Sequence, residues 1–325
     1  MENQTMLYIL VLSGLSDLPS LQLPLFLVFL LVYLMTLSVN LLIVLLICTD
    51  SHLQTPMYFF LGTLACMDMG YSSITTPRML FDLLKGKRLI SVQACLAQVF
   101  FFIVFSCYDV FILAVMSYDR YVAICRPLHY TQIMHWKTCA LLVLGVLISG
   151  VVFSLVQVLF LLKLSFCHLA TLQSFFCDLP QLLQVSCSDI FINAFLILFI
   201  GILFGLGVFF LTFCPYIFIL NTIMKFQSKA MRSKAFSTCS SHLTVVFIYY
   251  STLYFNYFHP NFHFYFGEDR LFAVVYAVIT PLLNPLIYSL RNEELKSSLK
   301  RTLIRLLISR KNKQLTLFCS RCLVK

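Results

Sequence analysis

The sequence predicts an all-α integral membrane protein: a bundle of seven transmembrane helices followed by a short amphipathic helix. Three observations carry this reading. Of the 325 residues, 60% are hydrophobic and only 11% charged, against about a quarter charged in a soluble domain; so little polar surface cannot cover a globule in water, and lipid must be part of the solvent. Apolar stretches of bilayer length recur seven times. The positive charge is also one-sided: of 23 Lys and Arg, ten lie from Arg291 onward, four between Lys225 and Lys234, and three more are Arg120, Arg126 and Lys137. Basic residues stay on the cytoplasmic side of a bilayer, so the net charge of +10 marks a membrane face rather than a nucleic-acid partner. The run Lys85 to Arg88 goes against this asymmetry.

Taken in order, residues 1–22 form an extracellular N-terminal segment without a basic residue, so the first span is expected to act as an uncleaved anchor and not as a removable signal. Asn3-Gln4-Thr5 is a glycosylation acceptor sequence that matters only on the outer face. The spans fall at 23–48, 56–82, 92–125, 138–163, 191–224, 236–260 and 270–290, and the bundle occupies 23–290. Each span must satisfy its backbone internally, so each is a helix, with Pro215, Pro281 and Pro285 as sites of kinking. An odd number of spans puts the two termini on opposite sides: N-terminus extracellular, C-terminus cytoplasmic. In 291–306, Leu295, Leu299, Leu303 and Leu306 recur at helical spacing opposite lysines and arginines, as in a helix lying on the inner leaflet. The basic stretch 307–325 is a cytoplasmic tail expected to be disordered.

Two acids lie deep in the lipid: Asp68 midway along span two and Asp109 midway along span three. A carboxylate there costs about 2.5–3.5 kcal/mol on insertion scales, so both should face the interior. Asn40, Ser72, Ser106 and Asn284 are candidate partners. A static hydrogen-bond network, a functional polar hub holding water or Na+, and an ion pathway of a transporter all fit the residues alone. No paired catalytic acids, histidine motif or nucleophile elbow points to an enzyme, and no separate cofactor or metal site stands out. Asp119-Arg120 ends the long apolar run of span three. Local pairing would hold the guanidinium near its helix, and release would let it reach neighbouring helices; an arginine that merely snorkels to the interface is the alternative.

The stretch MSYDRYVAICRPLHY resembles the most diagnostic motif of vertebrate olfactory receptors, within the rhodopsin-like (class A) G-protein-coupled receptors. Four further stretches resemble family signatures in the family's order: LQTPMYFFLGTLACMD (Leu53 to Asp68), FFCDLPQLLQVSCSD (Phe175 to Asp189), SKAFSTCSSHLTVV (Ser233 to Val246) and TPLLNPLIYSLRN (Thr280 to Asn292). The chain departs from the family pattern at Val39, where glycine usually precedes Asn40, and at Tyr249 to Ser251, where Phe-Tyr-Gly is usual. It also has Asp109 in place of a glutamate, and Pro215 before Tyr216 where serine is common.

The resemblance implies a plasma-membrane odorant receptor that activates a heterotrimeric G protein of the stimulatory olfactory type and so raises cyclic AMP. A receptor of the same family serving outside the nose fits equally. The resemblance further implies an activation switch of Asp119, Arg120, Tyr121, Tyr216, Asn284, Pro285 and Tyr288; the hub read from the buried polar residues themselves is Asn40, Asp68, Asp109 and Asn284. Four of the thirteen cysteines would meet the oxidising exterior, namely Cys95, Cys167, Cys177 and Cys187. Sequence alone allows three pairings; the resemblance implies Cys95–Cys177 and Cys167–Cys187.

If spans three, five, six and seven surround a ligand cavity, helical phase assigns its wall. Span three supplies Phe102, Ile103, Ser106 and Cys107, and span five supplies Ile200 and Phe204. Tyr250, Leu253, Asn256 and Tyr257 come from span six, Val274 and Ala277 from span seven. Ordinary interhelical packing accounts for each residue singly. Together they make an apolar wall with few donors and no central charge, suited to a small hydrophobic odorant. At roughly 0.3–0.5 kcal/mol per atom, a ten-atom ligand gains about 3–5 kcal/mol, an affinity on the order of 0.1 mM or weaker.

Overall fold

The computed structural model describes residues 9–305 apart from 17, 87, 167–169, 189 and 258–272; Asn3 and Leu306 lie outside the described residues. Six long helices follow in order: α1 (Pro19–Thr49), α2 (Pro56–Lys85), α3 (Val92–Cys125), α4 (Trp136–Leu161), α5 (Phe191–Met224) and α6 (Lys229–Tyr257). Then come α7 (Thr280–Arg291), entered through a π-helical turn at Val275–Ile279, and α8 at 293–305. Proline opens α1 and α2, where its fixed φ suits a first turn and its missing N–H costs nothing. Gly86, at φ 62°, closes α2 in the left-handed conformation.

Among the described residues, four helical stretches are long and apolar enough to cross a bilayer by themselves: Pro19–Thr49, Val92–Cys125, Trp136–Leu161 and Ala194–Met224. α2 and α6 are more polar because they carry interior groups, Asp68 on one and His242 on the other, both buried. The bundle is built on α3, which packs against α2, α4 and α5 and buries most of its length. α4 shows how helices meet without a hydrophobic drive between them. Its buried stripe is Cys139, Val146, Gly150, Ser154, Gln157 and Leu161, mostly small residues that let backbones approach. A methyl placed on Gly150 would stand 3.2 Å from the Val104 carbonyl, and Ser154 Oγ donates to the Phe100 carbonyl at 2.7 Å.

The N-terminal segment is more structured than the sequence suggests. Strand β1 (Ile9–Leu12) lies between β2 (Leu89–Ser91), antiparallel, and β3 (Thr171–Leu172), parallel. This small sheet sits at the end of the bundle where α2 passes into α3 and α4 leads to α5. It also gives two basic residues of the run at 85–88 a structural role. Arg88 donates from both terminal nitrogens to the carbonyls of Ser13 and Ser16, at 2.5 and 2.8 Å, tying down the strand's exit. Lys85 ends α2, where a cation favours the helix dipole. Arg88→Ala should therefore free the N-terminal strand at a cost of about 1.5–3 kcal/mol, the range for hydrogen bonds from a charged donor; antibody labelling of the intact cell surface is expected to fall accordingly.

The other end of the bundle carries α8. Asn292 Oδ1 caps it by accepting from the N–H groups of Glu294 and Leu295 at 3.0 and 3.2 Å, and Tyr58 of α2 donates to the same oxygen at 3.0 Å. Arg301 binds Asp50, between α1 and α2, through two nitrogens at 3.1 and 2.6 Å. Leu295 is buried against the bundle while Leu303 is exposed, so α8 docks along one edge only. The N-terminal strand and α8 thus occupy opposite ends.

Candidate functional site

A cavity of about 150 Å³ lies between α3, α4, α5, α6 and the π-helical turn that leads into α7. Six of the twelve residues assigned by helical phase line it: Phe102, Ile103, Ser106 and Cys107 from α3, Phe204 from α5 and Tyr250 from α6. Leu253, Asn256 and Tyr257 belong to α6, but their side chains lie outside the described residues.

Three of the expected residues are not in the described lining, for identifiable reasons. On α5 the stripe runs Ile197, Gly201, Phe204, Gly205 and Val208, and Ile200 stands about 100° around the helix from Gly201. On the last span the π-helical turn adds a residue to the repeat and rotates the phase. Tyr276 therefore faces the cavity in place of Val274 and Ala277, and the Ala277 carbonyl accepts from Thr75 of α2 at 3.4 Å.

The cavity has a polar corner. Ser106 Oγ is hydrogen-bonded to Tyr249 at 3.1 Å and to Tyr276, while Tyr249 donates to the Ser106 carbonyl at 2.8 Å. Gln157 adds an amide from α4. Otherwise the wall is aromatic and aliphatic, without a charged residue among those described.

Its roof is the segment between α4 and α5. Cys95 at the start of α3 is bonded to Cys177, and Gln98, one turn on, accepts from the Cys177 N–H at 2.9 Å while donating to the Ile74 carbonyl at 3.0 Å. A short helix follows at Leu179–Gln184, capped by Asp178, and its Leu179 reaches the cavity wall. Cys187 is disulfide-bonded; its expected partner, Cys167, lies outside the described residues.

At the α8 end of the bundle, Asp119 is buried and Arg120 half-buried, their charged atoms 3.9 Å apart. Tyr130, in a short helix after α3 (Tyr130–Ile133), donates to the other Asp119 oxygen at 2.8 Å. Burial and the neighbouring Asp119 carboxylate push the Tyr130 phenol above its usual range, so it remains a donor throughout the physiological range. Tyr216 is hydrogen-bonded to His242 Nδ1 at 2.5 Å, and the ring of Tyr288 lies 6.3 Å from that imidazole. Tyr288 OH is buried with no hydrogen-bond partner among the described residues. Tyr121 packs against Phe218 of α5.

His242 was missed at the sequence level, although it stands in the quoted SKAFSTCSSHLTVV stretch. A lone ionisable side chain in an apolar span is the signal that could have found it.

The expected four-residue hub divides. Asn284 donates to both Asp68 oxygens at 3.1 and 3.3 Å. Asn40 instead gives its amide to the carbonyls of Thr36 and Pro281, because the proline at 285 withdraws the donor that would otherwise serve Pro281. Ser72 bonds to its own helix, and Ser106 belongs to the cavity. Asp109 is buried beside this group with one oxygen lacking a hydrogen bond among the described residues.

Comparison with known proteins places these features in a group. The sequence pattern that describes olfactory receptors matches residues 29–306. The human protein named olfactory receptor 5B12 is 46% identical over 302 residues, spanning 93% of this chain and 96% of its own length. Human olfactory receptor 5B21 is 45% identical, spanning 94% and 99%. Among solved structures, squid rhodopsin shares the fold with a TM-score of 0.63 at 17% identity, over 90% of this chain and 88% of its own.

Proposed function

Because this chain belongs to the olfactory receptor family, a group of multi-pass membrane signalling receptors and not enzymes, we propose that its bundle cavity is the odorant site and that the Asp119–Arg120 end activates a stimulatory G protein. The observation that carries the ligand assignment is the cavity wall: largely apolar, uncharged among the described residues, with its polar groups confined to the Ser106–Tyr276 corner, the Tyr250 hydroxyl and the Gln157 amide. A space of about 150 Å³ matches the size at which an apolar cavity accepts a benzene-sized guest. The ligand class is therefore a small neutral volatile, with one oxygen able to address Ser106.

In the same reading the N-terminal sheet faces outward and α8 lies on the inner leaflet, since Lys296, Lys300, Arg301 and Arg305 cluster there. Ligand would shift the population towards a conformer in which Arg120 leaves Asp119 for Tyr216 and Tyr288. The kinked Asn284–Pro285–Tyr288 segment of α7 is the two-position element, and Tyr121 follows α3 against α5. A Na+ ion or a water at Asp68 and Asp109 would satisfy the orphaned Asp109 oxygen.

The decisive experiment is an odorant panel with a cyclic-AMP readout in cells expressing the chain. A panel in which an ionised amine outperforms every neutral volatile refutes the ligand class. Gly205→Leu sharpens the test. No atom lies within 4 Å of a Cβ placed there, so the added side chain fills the cavity without disturbing its frame. Potency is expected to fall about tenfold or more, with surface expression unchanged.

A further inference from the structure

Gln157 of α4 is buried, 2% exposed, and lines the cavity beside Ile197 and Gly201 of α5. Its Nε2 donates to the Ile197 carbonyl at 3.4 Å. Two oxygens cannot share a hydrogen bond without a proton between them, so this contact fixes which end of the amide faces α5. Oε1 is then left with no hydrogen-bond partner among the described residues. A buried acceptor in that state is costly to the fold, and native structures seldom keep one without a use. Room for a partner lies close by. Gly201, whose N–H the same Ile197 carbonyl accepts within the helix, has no atom within 4 Å of a Cβ placed on it.

The hydroxyl protons around the cavity are already committed. Tyr249 donates to the Ser106 carbonyl at 2.8 Å. Its contact with Ser106 Oγ at 3.1 Å therefore uses the Ser106 proton, and the contact of Ser106 with Tyr276 uses the Tyr276 proton. The same count holds between α5 and α6: Thr212 donates to the Val208 carbonyl at 2.8 Å, so Tyr250 donates to Thr212 at 3.3 Å. Cys107 adds a weak thiol donor, and Gln157 keeps its second amide proton. The described wall is thus rich in acceptors and poor in donors.

We propose that Gln157 Oε1 selects ligands that carry a hydrogen-bond donor, so that an alcohol or phenol is preferred to the ketone, aldehyde or ether of the same skeleton. This rests on the reading of the cavity as the odorant site and narrows its ligand class. The ligand hydroxyl gives its proton to Oε1 and satisfies it. A carbonyl or ether oxygen brings only lone pairs to a wall of lone pairs and leaves Oε1 unpaired, which is how a site built for a hydroxyl rejects analogues that lack one.

The test expresses the full chain in cells with a cyclic-AMP readout and supplies volatiles as triplets of one skeleton. Benzyl alcohol, benzaldehyde and benzyl methyl ether form one triplet; cyclohexanol, cyclohexanone and methoxycyclohexane form another. In each triplet that activates the receptor, the alcohol is expected to be about tenfold more potent than either partner. Gln157→Met keeps the side chain's length and removes the amide, and should lower the alcohol-to-ether potency ratio about tenfold. The ratio is taken within one variant, so surface density cancels. Gln157→Leu replaces it if the methionine variant does not reach the surface, and the wild-type order decides if neither does. Equal potency across the triplets, or an unchanged ratio in a surface-expressed variant, overturns the role of Gln157 while leaving the cavity as the odorant site. An ionised amine as the best ligand, or silence of every neutral volatile, overturns the odorant-site reading and this inference with it.

Discussion

Arg120→Ala is expected to abolish odorant-evoked cyclic AMP while leaving at least half of the receptor at the cell surface. In the resting arrangement Arg120 contributes little to stability. Its contact with Asp119 is 3.9 Å long, and the carboxylate has a second partner in Tyr130 at 2.8 Å. The Asp119 oxygen nearest the guanidinium already lacks a hydrogen bond among the described residues, so the substitution breaks none and removes only this long charge contact, which the bundle should tolerate. Signalling is different, because the planar five-donor guanidinium has no substitute on the inner face. Arg120→Lys should keep the charge and regain only a minor part of the response. Full signalling by the alanine variant, measured at matched surface density, removes Arg120 from the mechanism.

Cys177→Ser is expected to have the largest effect on folding. The Cys95–Cys177 bond closes 82 residues of chain, and loop-closure entropy puts its contribution at roughly 4–5 kcal/mol. The loss also frees the Gln98 contact and the short helix that delivers Leu179 to the cavity. Surface expression should collapse. Cys95→Ser should be as severe and the double variant no worse, since both changes remove one bond. Additive damage in the double variant would mean that the two cysteines act separately.

The legible and illegible parts of the site divide along a physical line. Phe102, Ile103, Ser106 and Cys107 were readable because α3 is regular, so spacing alone fixes which side chains share a face. Val274 and Ala277 are not in the described wall, where Tyr276 stands instead, on a π-helical turn at Val275–Ile279 that nothing in VYAVI announces. Asn40 was assigned to the acids as a polar residue near other polar residues. It goes instead to carbonyls, one of them orphaned by a proline on another helix. The strand at Ile9–Leu12 escaped notice because four residues make no periodic signal, and its partners are 78 or more residues away in the pairing of Val11 with Leu89 and Thr171.

By itself the sequence determined the fold class, a bundle of membrane-spanning helices, and the family. Lipid makes each helix satisfy its own backbone, so length and apolarity are local properties that can be read in order along the chain. Only the tertiary structure decided which polar groups meet, that Tyr276 and not Ala277 faces the cavity, that His242 stands with Tyr216, and that Arg88 holds the N-terminal strand. Those outcomes depend on which carbonyls and hydroxyls neighbouring helices leave free, and that information is distributed over segments far apart in the chain.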